Sequence, residues 1–172
     1  MNFAELLSDK IQKPKAKTEI LSYWLAENPP ELTSLIEFAR TAKDPVKATC
    51  IEAIEFATKQ KPEIADLKCL DFVSETLTAK APRLKWESAK VIGNVAHLFP
   101  ENLETAVTNL LVNTEHEGTV VRWSAAFALG QILKTKAPVT KDLIPAAENI
   151  ASREEKNSIR KFYLDALKQI KK

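Results

Sequence analysis

Lys85-Trp86-Glu87-Ser88-Ala89-Lys90-Val91-Ile92-Gly93 returns 37 residues later as Arg122-Trp123-Ser124-Ala125-Ala126-Phe127-Ala128-Leu129-Gly130. A base, a tryptophan, small residues and a glycine recur in the same order. Self-similarity at such a period marks a stack of like supersecondary units, each with an apolar face that only its neighbours bury. Weaker copies flank the pair: Lys47-Ala48-Thr49-Cys50-Ile51-Glu52-Ala53-Ile54-Glu55 begins 38 residues before Lys85, and Arg160-Lys161-Phe162-Tyr163-Leu164-Asp165-Ala166-Leu167-Lys168 begins 38 after Arg122. A degenerate first copy starts at Lys17, with Ile20, Leu21 and Trp24 as its apolar positions. Anchors at 17, 47, 85, 122 and 160 thus run through nearly the whole chain.

The period inside each copy is helical. Val121, Ala125, Ala128, Leu129, Ile132 and Leu133 recur at steps of three and four, and so do Leu84, Ser88, Val91, Ile92, Val95 and Phe99. Shorter amphipathic segments at 31–42, 63–78, 102–114 and 142–152 lie between these helices. Prolines punctuate the junctions: Pro45 and Pro82 open second helices of a pair, and Pro62 and Pro100 open first ones. No alternating strand pattern of useful length appears. The expected fold is all-α, a right-handed α-solenoid of about five helical hairpins. The expected single domain spans 1–172, with an incomplete N-terminal cap over 2–27, clear repeats at 63–99 and 101–136, and weaker repeats at 31–60 and 141–171.

The stretch Gly118-Thr119-Val120-Val121-Arg122-Trp123-Ser124-Ala125-Ala126-Phe127-Ala128-Leu129-Gly130 resembles the second helix of a HEAT repeat, in particular the short HEAT-like repeats of bacteria. Asp44-Pro45-Val46-Lys47 resembles the inter-helix turn of the same family. The resemblance implies HEAT-like hairpins whose stacked second helices line a concave binding surface, most often in non-catalytic scaffolds. A minority of such proteins resemble DNA alkylation-repair glycosylases that grip duplex DNA. Others support cofactor attachment to light-harvesting proteins. Fold analogy does not choose among these roles.

Bulk properties narrow the field. The net charge of +2 is too small to argue by itself for a nucleic-acid or membrane partner. No apolar run approaches the ~18 residues that span a bilayer, and Met1-Asn2-Phe3-Ala4-Glu5 lacks the basic start of a secretory signal. The 2 cysteines, Cys50 and Cys69, sit within helical patterns and read as small core residues, so a cytoplasmic location is expected. The 2 histidines, His97 and His116, have no partner at metal-ligand spacing, and both read as solvated. No nucleophile elbow or glycine-rich phosphate loop occurs. The expectation is therefore no catalytic residue, no metal and no cofactor.

Partner binding leaves a clearer trace. On a helical wheel of 84–99, Leu84, Val91, Ile92, Val95 and Phe99 share one sector, and Ala89, Gly93 and Ala96 form a small-residue stripe beside it. Glu87, Lys90, Asn94 and His97 fill the polar sector, with Trp86, like Trp123, at its boundary. Read across the stack, the polar sectors predict an inner wall. It comprises Thr49, Glu52, Phe56 and Lys59, then Glu87, Lys90, Asn94 and His97. Ser124, Phe127, Gln131 and Lys134 continue it, followed by Phe162, Asp165, Gln169 and Lys172. Phe at three solvent-facing positions marks either an interaction surface or packing against a loop or a terminal helix. The candidate partner-binding residues are Glu52, Phe56, Trp86, Lys90, Asn94, Trp123, Phe127, Gln131, Phe162 and Asp165. Placed among polar neighbours, Phe127 is expected to be at least partly solvent-exposed, and Phe127→Ser to cost under about 1 kcal/mol. The reading is a non-catalytic scaffold for a protein or peptide, with no membrane association. The alternative is a DNA-binding or alkylation-repair-like protein, motivated by the tryptophans and by basic ends (Lys10, Lys13, Lys15 and Lys17, and 7 bases against 3 acids in 151–172).

Overall fold

The computed structural model describes residues 1–171. Ten α-helices run through them: α1 (Phe3–Ser8), α2 (Pro14–Glu27), α3 (Glu31–Thr41), α4 (Asp44–Gln60), α5 (Leu67–Thr76), α6 (Pro82–Val95), α7 (Glu104–Asn113), α8 (Thr119–Leu133), α9 (Thr140–Arg153) and α10 (Asn157–Ile170). No strand occurs among the described residues. The even-numbered helices α2, α4, α6, α8 and α10 pack side by side as one layer, while α3, α5 and α7 stack in the other. The result is a right-handed α-solenoid. None of these helices is long and apolar enough to cross a membrane.

Local chemistry explains most helix boundaries. Pro14, Pro45 and Pro82 occupy the first turns of α2, α4 and α6, where a missing N–H leaves no bond unmade. Pro62 and Pro100 behave differently from expectation. They begin 3-10 turns, Pro62–Ile64 and Pro100–Asn102, and the following α-helices start only at Leu67 and Glu104. At α5 the reason is a better cap downstream: the Asp66 carboxylate accepts the Cys69 N–H at 2.9 Å. Pro145 lies inside α9, where its missing N–H removes the intrahelical bond it would have donated to the carbonyl of exposed Lys141. The long helix expected to reach Phe99 ends at Val95 and tightens into a 3-10 turn, Ala96–Leu98.

The apolar sectors close on one continuous core that includes Leu35, Ile51, Ile54, Leu70, Phe72, Leu84, Ile92, Leu129, Ile132 and Tyr163. Cys50 and Cys69 are both free thiols buried within it, and burial pushes each thiol up to about 12. The repeated base has a shared task. Lys85 Nζ donates to the Leu77 carbonyl at 3.1 Å and to Asn113 Oδ1 of the next hairpin at 2.9 Å. Arg122 donates to the His116 and Glu117 carbonyls at 3.0 and 3.1 Å, and its Nε reaches Glu154 of the next hairpin at 3.1 Å. Each base thus satisfies carbonyls of its own inter-helix turn and ties that turn to the next unit. His116 departs from the solvated role expected for it: it is half-buried, and its Nδ1 accepts the Gly118 N–H at 2.9 Å just before α8.

The two repeated glycines mark the closest approach of second helices. A Cβ on Gly93 would stand 2.3 Å from Cε1 of Phe127, and one on Gly130 would stand 3.1 Å from the Phe162 carbonyl oxygen. At Gly130 the obstacle is backbone, which cannot swing aside. Replacing a mid-helix glycine gains about 1 kcal/mol of helix propensity, but overpacking a tight site costs about 1–3 kcal/mol or more. For Gly130→Leu, with a whole side chain against α10, the steric term wins. A net loss of about 2 kcal/mol is expected, which lowers the melting temperature by roughly 4–8 °C for a chain of this size. A thermal melt at or above the wild-type temperature would show that α8 and α10 are not in close contact at this point.

Candidate functional site

The layer of even-numbered helices exposes one long face. Glu52 and Phe56 lie on α4, Trp86, Lys90 and Asn94 on α6, Trp123, Phe127 and Gln131 on α8, and Phe162 and Asp165 on α10. Asp165 is exposed, Trp123 is 37% exposed, and the other eight are half-buried. Two members of the expected inner wall, Glu87 and Ser124, are buried, at 4% and 1% exposure. Ser124 is accommodated by donating its hydroxyl to the Val121 carbonyl at 2.9 Å. Lys172 lies outside the described residues.

The face divides into a charged part on α4 and α6 and an aromatic part on α8 and α10. At its charged end, Glu52 accepts from Thr18 at 2.9 Å and from Arg83 at 3.0 Å. Further along, Lys90 Nζ stands 2.9 Å from Glu87 and 3.5 Å from Glu55. Trp86 Nε1 donates to the other oxygen of Glu87 at 2.9 Å. One glutamate therefore orients both the indole and the ammonium. Asn94 Nδ2 donates to the Glu55 carbonyl and to Thr58 Oγ1 at 3.1 and 3.2 Å, pinning α6 to α4 just below the triad.

Two carboxylates around one ammonium leave a net charge of −1, largely out of water. Burial is the strongest influence on Glu55 and raises its carboxyl; Lys90 and Lys59 oppose the rise and Glu87 adds to it. Burial also works to lower the Lys90 ammonium, yet the two carboxylates outweigh it and leave Lys90 above the usual lysine value.

The aromatic part is a cluster of three rings. Trp123 stacks on Phe127 at 6.1 Å and 15°, and meets Phe162 edge-on at 5.1 Å and 81°. Phe127 and Phe162 complete the triangle at 5.9 Å and 69°. Such arrangements stabilise by about 0.5–1.5 kcal/mol per pair beyond area burial. Phe127 also leans on Gly93, so its ring is wedged between two helices. Phe127 is thus partly exposed, as expected, while these contacts raise the cost expected for Phe127→Ser. A half-buried ring in contact with Trp123, Phe162 and Gly93 falls between the surface case, under about 1 kcal/mol, and full burial, about 3–5 kcal/mol.

Two features of the site escaped the sequence. Glu55 reads as a minor break in the apolar run Ala53-Ile54, and its pairing with Lys90 crosses 35 residues of chain, as 90 − 55 shows. Arg83, the partner of Glu52, carried no distinguishing signal. Elsewhere, no group of three or more His, Cys, Asp or Glu able to hold a metal ion occurs among the described residues. A cavity of about 560 Å³ lined by Ala151, Leu164 and Leu167 opens between α9 and α10, and no candidate groove residue lines it.

No family model matches the chain, and no curated protein matches it. Solved structures do. An engineered protein from a structural genomics consortium superposes with a TM-score of 0.73 at 20% identity, over 98% of this chain and 79% of its own. A designed armadillo repeat protein in complex with the peptide (KR)4 gives a TM-score of 0.73 at 16% identity, over 95% and 78%. The complex of CpcE and CpcF of phycocyanin lyase from Nostoc sp. PCC7120 gives 0.58 at 19% identity, over 88% and 98%. These identities establish the armadillo-like helical-repeat fold and nothing finer.

The buried triad makes a pH prediction. A carboxyl raised in the folded state binds its proton more tightly there than in the unfolded chain. Its stabilising contribution is therefore complete below the usual value of 4.5 and is lost as the pH rises through Glu55's own higher value. Glu55→Gln removes that loss while keeping an acceptor for Lys90. The variant's melting temperature should gain on wild type as the pH goes from about 4 to about 7. A difference that stays flat or reverses would show that Glu55 is ionised without penalty.

Proposed function

We propose that the chain is a non-catalytic scaffold that holds a protein or peptide segment along the face formed by α4, α6, α8 and α10. The observation that carries this reading is the Trp123–Phe127–Phe162 cluster. Monomeric proteins seldom leave a rigid group of large aromatic rings beside solvent, and binding energy at interfaces concentrates on such anchors. The neighbours give it general support: one solved relative in fold holds a peptide, and another is a complex of two subunits. We further assign the hairpins to the HEAT-like type and read them as one unit, with a cap over 2–27 and repeats over 31–60, 63–99, 101–136 and 141–171. Site residues are the ten named above. The nucleic-acid reading draws less support, because the Glu55–Lys90–Glu87 triad and Asp165 set negative charge where a phosphate backbone would lie.

The test is affinity purification from the native cell, comparing tagged wild type with Trp123→Ala and Asp165→Arg. Protein partners are expected with wild type and should be depleted at least several-fold by both variants, each of which remains folded by circular dichroism. Partners retained equally by both variants, or none recovered with wild type, would contradict a groove-binding scaffold.

A further inference from the structure

The charges of the groove are not equally available to a partner. Its three inner carboxylates are each engaged within the protein: Glu52 by Thr18 and Arg83, Glu87 by Trp86 and Lys90, and Glu55 by Lys90. The bases at the C-terminal ends of the same helices are not. Lys59 in the last turn of α4, His97 just past α6 and Lys134 at the end of α8 are all exposed, and none takes part in an ion pair among the described residues.

Lys59, His97 and Lys134 occupy equivalent positions, 38 and 37 residues apart. Lys59 lies seven residues past Glu52, and Lys134 seven past Phe127, two helical turns along the same face. They therefore form a rim of one base per hairpin beside the groove floor. The nearby exposed acids, Glu63 and Glu101, sit in the 3-10 turns that lead away toward the first helices, and Asp165 lies on α10.

On the scaffold reading above, we propose that the groove takes an extended acidic peptide segment of a partner protein, its apolar side chains on the Trp123–Phe162 platform and its carboxylates on the Lys59–His97–Lys134 rim. Dimensions favour an extended chain in the polyproline II conformation lying across the helices. Packed helices stand about 8–10 Å apart, and such a chain advances about 9 Å per turn of three residues, with every third side chain on the same side. An acid at every third position thus meets one base per hairpin. A basic peptide lacks free carboxylates to bind in the inner groove. A nucleic acid would have to carry its continuous charge past the triad and Asp165, which repel it.

The experiment pans a phage-displayed library of random dodecapeptides against the intact chain, then measures synthetic copies of the enriched peptides by fluorescence anisotropy. Enriched sequences should be net acidic and should carry aromatic or branched apolar residues. Lys59→Glu combined with Lys134→Glu should weaken them about tenfold or more and reduce their salt dependence, as expected for rim charges. These lysines are exposed, so the double variant stays folded, which a thermal melt verifies. Trp123→Ala tests the platform separately. Enriched peptides that are neutral or basic, or acidic peptides indifferent to the lysine reversals, overturn the acidic specificity but leave the scaffold reading standing. A short DNA duplex that binds more tightly than the peptides, with the same lysine dependence, also overturns it. Failure to enrich any peptide overturns both.

Discussion

The stack depends on how closely its second helices approach one another. Gly93 and Gly130 remove the Cβ atoms that would stand between α6 and α8 and between α8 and α10. Each accepts about 1 kcal/mol of helix-propensity cost. In exchange, the Phe127 ring settles over the first glycine and the Phe162 backbone over the second. That approach brings rings from α8 and α10 within 5.1–6.1 Å of one another. The aromatic platform is thus a by-product of the packing rule that makes the solenoid. Its rigidity comes from the core beneath it.

The charged half of the groove follows a different rule. Taking carboxylates out of water is costly unless cations and hydrogen-bond donors compensate. Lys90 stands between Glu55 and Glu87, and the Trp86 indole completes the coordination of Glu87. This compensation uses up the inner charges, while the rim bases form no ion pair among the described residues. The electrostatic character of this face is therefore set by which ions are satisfied internally. Net composition does not reveal it.

Most of the architecture was legible in the sequence because a repeated base-Trp-small-Gly pattern admits few alternatives to stacked hairpins. The helical spacing of Val121, Ala125, Ala128 and Leu129 found the core side of α8, and all four are buried. Boundaries were less legible. Proline at 62 and 100 signals a turn equally well as a helix start, and only the Asp66 cap decides between them at α5. The site was legible in its aromatic half, where Phe interrupts a polar stripe. It was hidden in its charged half. A helical wheel places Glu87 and Ser124 in the polar sector but does not show that a neighbouring helix covers them. The Glu52–Arg83 and Glu55–Lys90 pairs cross between hairpins, where helical periodicity carries no information.

That the even-numbered helices present the binding face is the claim on which the functional account rests. Site-specific photo-crosslinking in the native cell tests it most directly, with benzoylphenylalanine placed at Gln131 in the groove or at Val112, 67% exposed on α7 of the opposite layer. The account predicts a discrete protein adduct from position 131 and none from position 112. Adducts from position 112 with none from position 131 would move the partner to the other face and contradict it.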